Sequence, residues 1–158
     1  MSEMSKIVKT ISNILFPFIM IFGLYVIAHG HLTPGGGFQG GAVVASGCAM
    51  LLVAYSSGWI FSKIKEKRLS AFESLGAIMF IIVAFFGLVF SGVFFGNFLA
   101  GSNLLFGTIP AVGSTLADIN TGGVLPLMNF AVGLKVIAGL FAIVLVMAYA
   151  SSTKEWKK

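Results

Sequence analysis

Charged side chains are almost missing from four long stretches of this chain, at approximately residues 11–28, 38–55, 72–95 and 127–149. Each is about as long as a helix must be to cross a bilayer core, roughly 20 residues. Few folds are open to a chain that strings four such stretches together. In hydrocarbon every backbone N–H and C=O must be bonded within the protein, and a helix does this by itself. The expected fold is all-α and polytopic: a single transmembrane domain over residues 1–158 with about four spanning helices and a long apolar outer segment between the third and the fourth. The rival is a soluble helical domain. Charged residues are 9% of the chain and hydrophobic residues 58%, against about 25% charged in soluble domains. So few charges cannot cover a soluble surface.

The placement of the basic residues sets an orientation. Lys6 and Lys9 precede the first stretch, Lys63, Lys65, Lys67 and Arg68 lie between the second and third, and Lys154, Lys157 and Lys158 follow the fourth. The other two connections contain no Lys or Arg. By the positive-inside rule this places both termini in the cytoplasm of a multi-pass cell-membrane protein. It also assigns the net charge of +5 to lipid headgroups rather than to nucleic acid. The first stretch is too long for the apolar core of a secretory signal and leads into HGHLTPGGG without a small-residue cleavage site, so it is read as a mature span. The single cysteine, Cys48, is read as packing.

The first outer connection, HGHLTPGGGFQGG, is dense in turn formers. Thr33 is placed to cap the second span and Pro34 to open it. Gly37, Gly41, Ala45 and Cys48 form one small-residue stripe along that span, a face suited to close helix packing in lipid. The segment from about Asn97 to Pro126 is long, apolar and rich in glycine, with Asp118 as its one charge. A free loop would be more polar. This one should be covered by a partner subunit or dip into the bilayer inside a protein shell, and its expected role is structural docking. Asp118 is read as a turn or cap.

Two ionisable residues fall inside the apolar stretches. Lys135 lies about 12–14 Å into the fourth at the helical rise of about 1.5 Å per residue. A lysine at bilayer mid-depth is about 2.5–3.5 kcal/mol uphill on insertion scales, so it must face protein or water. Its face carries the small residues Ala131, Gly139 and Ala142. Two roles stay open: a proton-relay or gating charge with a partner carboxylate, or a fixed structural charge. Glu73, near the start of the third span, is either a first-turn carboxylate held by the helix dipole or the inner mouth of an ion path. Counted along their helices, Glu73 and Lys135 lie at different depths. His29 and His31 end the first span. Their rings can bond backbone groups freed by the turn, or titrate and handle protons. A metal site is not assigned, because no third ligand of the usual kind is near. The ion-path candidates are therefore Lys135, Glu73, His29 and His31, and the helix-packing candidates Gly37, Gly41, Ala45 and Gly139. No phosphate loop, dinucleotide fingerprint, thiol redox pair or catalytic constellation is present.

These residues also resemble a family. The runs Asn13-Ile14-Leu15-Phe16-Pro17 and Gly23-Leu24-Tyr25-Val26, then His29-Gly30-His31-Leu32-Thr33-Pro34-Gly35-Gly36-Gly37-Phe38-Gln39-Gly40-Gly41, are similar to the B subunit of Mrp-type multisubunit sodium/proton antiporters. Gly122-Gly123 and Gly133-Leu134-Lys135 extend the likeness over most of the chain. The resemblance implies a small, cofactor-free subunit that works with other Mrp-type subunits on sodium and protons. It further implies that the same subunit is built into archaeal membrane-bound hydrogenases and related ferredoxin-driven or sulfur-linked complexes, whose nickel–iron and iron–sulfur centres sit in partner subunits. The texture of the 97–126 segment favours the archaeal, hydrogenase-type version. The alternative is a purely structural assembly subunit of a free-standing antiporter.

Overall fold

The computed structural model describes residues 4–56, 58–60, 64, 66–102, 104–109 and 120–155. Asp118, Lys63, Lys65, Lys157 and Lys158 lie outside them. Four helices account for the architecture: α1 (Lys6–Ala28), α2 (Gly36–Tyr55), α3 (Glu66–Ser91) and α4 (Leu125–Glu155). All four are long and apolar enough to cross a membrane, and the described residues contain no strand. The chain is an all-α membrane protein.

Glycine determines how the helices meet. One row on α2 faces α1: a Cβ at Gly40 would lie 2.6 Å from the Gly23 carbonyl oxygen, and one at Gly47 would lie 2.9 Å from Ile19. A second row, about 100° around the helix, faces α4: a Cβ at Gly41 would lie 2.9 Å from the Gly133 carbonyl oxygen, and one at Gly37 would be 3.0 Å from the Gly133 nitrogen. Without a hydrophobic drive between helices in lipid, such backbone approach is a main source of packing energy. Gly40→Val should overpack the α1–α2 contact and cost about 1–3 kcal/mol. Thermal unfolding in detergent should show a lowered midpoint; an unchanged midpoint would contradict this packing.

The helices stand in an open, curved row in the order α1, α2, α4, α3, with a lesser contact between α1 and α4. α2, in the interior of the row, is the most buried span, and α1 and α3 at its ends are the least. The basic end is closed by Leu52, Ile60, Phe141 and Leu145, with Cys48 packed against them. There Tyr55 stacks on Trp59 at 4.8 Å, accepts a 2.6 Å bond from Asn13 and has the Lys9 ammonium over its ring at 5.3 Å. That is the composition of an interfacial belt.

The helix boundaries differ from the sequence expectation in three places. α3 runs from Glu66 to Ser91 rather than over 72–95, because Gly92 adopts a left-handed φ of 72° and ends it. The chain then reverses along α3. The Phe95 N–H bonds the Ala84 carbonyl at 3.3 Å, and the Phe95 ring lies 5.8 Å from Phe80. Phe94 and Phe98 likewise pack on Phe85 and Phe90. The second difference is the cap between α1 and α2. Thr33 turns back, donating from both its N–H and its hydroxyl to the His29 carbonyl. The N-cap of α2 is Gly35, at φ 116°, a conformation L side chains rarely adopt. Thr33 therefore closes α1 instead of opening α2, and Pro34 lies before the cap. Third, α4 begins at Leu125, so Pro126 lies in its first turn, where a missing N–H is tolerated.

The segment after α3 is stitched by two asparagines. Asn97 donates to the Gly122 carbonyl at 3.1 Å and accepts from the Val124 N–H at 3.0 Å. Asn120 accepts from the Phe106 N–H at 2.7 Å and donates to the Thr108 hydroxyl at 2.8 Å. Non-helical backbone near a membrane needs such internal partners. Asn97→Ala should strand two backbone groups, at about 1–3 kcal/mol each where buried. Amide exchange across 97–109 and 120–124 should quicken while that of α1 and α2 does not; equal protection in both proteins would contradict the role given to Asn97.

Candidate functional site: an intramembrane ion pair and a glycine-histidine corner

Lys135 sits on the α3-facing side of α4. Its backbone is approached directly by Gly76 of α3: a Cβ at Gly76 would lie 2.8 Å from the Lys135 nitrogen and 2.7 Å from the Ala131 carbonyl oxygen. The side chain then runs one turn toward the basic end and meets Glu73, with Nζ 3.4 Å from Oε1. This joins two residues placed at different depths by counting along their helices. The lysine side chain spans the offset, and Gly76 lets the helices close enough for it to reach. Glu73 is not a first-turn carboxylate, since α3 begins two turns earlier at Glu66. The helix terminus therefore does not explain its charge, and Lys135 is its charge partner.

The pair lies at hydrocarbon depth. Lys135 is about 15 Å from the start of α4, halfway through a core of about 30 Å. Glu73 is about 9 Å along α3 from Lys67. The contact is longer than the roughly 2.7–2.9 Å of a tight charge-assisted bond, and the side chains are 48% and 42% exposed. Beside them lies an open groove of about 400 Å³ lined by Glu73, Gly139, Ala142, Ile143, Val146 and Met147. A Cβ at Gly139 would lie 3.5 Å from the Glu73 carboxyl carbon.

The second cluster is at the opposite end, on the side of α4 that faces α2. His29 turns back on α1, its Nδ1 3.1 Å from the Tyr25 carbonyl and its ring 4.0 Å from that of Tyr25. His31 turns the other way: a Cβ at Gly122 would lie 2.9 Å from its ring. The two rings do not converge, and among the described residues no group of three His, Cys, Asp or Glu is placed to hold a metal ion. Gly30 and Gly36 close around the Asn129 amide, 2.7 Å and 2.9 Å from a Cβ at each. Gly37 meets Gly133, Gly41 meets Gly133 and Val136, and Ala45 is buried. Asn129 and Lys135 are about 9 Å apart along α4 and point to different neighbours, so the histidine corner and the ion pair are separate features.

Sequence reasoning missed Gly76, Asn129, Asn120 and the stitching role of Asn97. Asn129 had a readable signal, an amide near the start of an apolar span. Gly76 had less, one glycine among many.

Together these features define a polytopic helical membrane protein with an ion pair inside its spanning region. A family model described as a domain related to the MnhB subunit of Na+/H+ antiporter matches residues 7–152. The B subunit of the Na(+)/H(+) antiporter of Bacillus subtilis is 33% identical over 117 residues, covering 69% of this chain and 72% of that protein. An uncharacterized protein of Methanocaldococcus jannaschii is 33% identical over 141 residues, 87% of this chain and 50% of its own length. A chain in the structure of the membrane-bound sulfane sulfur reductase, an archaeal respiratory membrane complex, superposes with a TM-score of 0.68 at 29% identity, over 93% of this chain and 59% of that one. The present chain thus spans about half of the Methanocaldococcus relative and under two thirds of the chain in the respiratory complex. It belongs to the MnhB-related family of antiporter subunits.

Proposed function

We propose that this chain is a membrane subunit of a multisubunit complex coupling sodium and proton translocation, within an archaeal membrane-bound hydrogenase or a related ferredoxin-driven or sulfur-linked complex. The observation that carries the proposal is the Glu73–Lys135 pair. Ionisable groups at this depth are costly and in membrane proteins mark ion and proton pathways. The 3.4 Å contact is looser than a tight charge-assisted bond, so the lysine and the carboxylate can part and take up water or a cation as charge moves nearby. The similarity to a chain of an archaeal respiratory complex supports the respiratory setting over a free-standing antiporter. Redox centres belong to other subunits in this reading, since the chain supplies a single cysteine. The basic end, carrying Lys9, Lys67 and Arg68, faces the cytoplasm together with both termini.

The test is a sodium pulse applied to inside-out vesicles from cells lacking the chain and from cells in which it is restored, with internal pH followed by a fluorescent dye. Restoration should return sodium-dependent proton movement. Equal responses in the two vesicle types, with the same set of assembled subunits, would overturn the coupling role.

A further inference from the structure

We infer that the groove between α3 and α4 receives a transmembrane helix of a different subunit, which presents a hydrogen-bond acceptor to Lys135. This rests on the reading of the chain as one subunit of a larger membrane assembly. The ammonium has three N–H donors, and among the described residues its one polar partner is a single Glu73 oxygen. Nearly half of each side chain is uncovered. Lipid tails offer no acceptor, and the ammonium, level with Glu73, lies about 9 Å along α3 from Lys67, inside the hydrocarbon. The remaining donors therefore call for a polar group delivered within the hydrocarbon at the level of Glu73.

The shape of the groove fits a helix. Its floor is Gly139 and Ala142, which admit near-backbone approach. Its rim carries Ile143, Val146 and Met147, 58%, 44% and 67% exposed. A visitor apolar along most of its length, with one hydroxyl, amide or carboxyl level with Glu73, satisfies both the rim and the pair. A second copy of this chain fits poorly. Of its two most exposed spans, α1 offers Ile14, Leu15 and Phe18 near that level, none of them an acceptor, and the acceptor on α3, Glu73, is already engaged by its own Lys135. α3 also stands at the end of the row with α4 as its helix neighbour, so a helix can enter beside it without displacing another.

The experiment places a photo-reactive p-benzoylphenylalanine at Val146 or Ile143 in the full chain, irradiates native membranes and maps the adducts by mass spectrometry. Phe18 on α1 is the comparison position. The expected adduct is a transmembrane segment of another subunit with a hydroxyl, amide or carboxyl side chain within about two turns of the attachment point, on the side toward Glu73. Adducts with lipid, with a second copy of this chain, or with a segment apolar throughout those two turns would overturn the inference. If Phe18 yields subunit adducts while the groove yields lipid, the groove assignment alone fails. If neither position yields a subunit adduct, the multisubunit reading fails with it. An Ala142→Trp variant supplies a second readout. It fills the groove without entering the core, so the chain should remain in the membrane at normal level while the cross-link falls at least tenfold. An undiminished cross-link would also overturn the inference.

Discussion

Lys135→Ala is expected to reduce sodium-driven proton exchange at least ~10-fold, equivalent to a barrier increase of about 1.4 kcal/mol. The substitution leaves Glu73 charged and without its described ion-pair partner at membrane depth. Removing one member of a buried pair costs about 3–5 kcal/mol, and the half-exposed geometry here places the effect toward the lower end. The informative comparison is the double variant Lys135→Ala with Glu73→Gln, which removes the stranded charge. If the pair works in translocation, the double variant should recover its subunit partners on a native gel and still fail to exchange. If the pair only holds the assembly together, complex and exchange should return in step. Full exchange by the single variant would defeat the role proposed for the pair.

Gly76→Leu should have an effect of similar size for a different reason. A Cβ at Gly76 would already lie 2.7 Å from the Ala131 carbonyl oxygen and 2.8 Å from the Lys135 nitrogen. Both are backbone atoms that cannot swing aside. The added side chain must push α3 away from α4, its helix neighbour, at about 1–3 kcal/mol for overpacking and with the Glu73–Lys135 contact stretched. Protease protection of α3 in purified membranes should fall while that of α1 and α2 is kept. Gly76→Ala should do the same to a smaller extent. Wild-type protection of α3 in the leucine variant would show that the α3–α4 interface is looser than its geometry states.

The spans were legible because the cost of charge in hydrocarbon is large enough to empty those stretches of it. Their order in space was not. A helix surrounded by lipid can be apolar on every face, so no stripe tells a neighbour from solvent. The α4-facing glycines of α2 were readable as a stripe through Gly37 and Gly41. The second row through Gly40 and Gly47 was not separated from it, since small residues occur on two faces. Lys135 and Glu73 were each visible as anomalies, and their pairing was not. Counting residues places Cα atoms, whereas a lysine side chain reaches a full helical turn. The end of α3 was overrun because the phenylalanines that follow Gly92 are as apolar as the helix and fold back against it. Composition alone cannot distinguish a continuing helix from a strand of chain lying along its side.

Among the described residues the helices form a wall one helix deep, which surrounds no lumen. On the proposed function, whatever crosses the bilayer beside Lys135 does so along a seam completed by another subunit, and the purified chain in liposomes should be electrically silent.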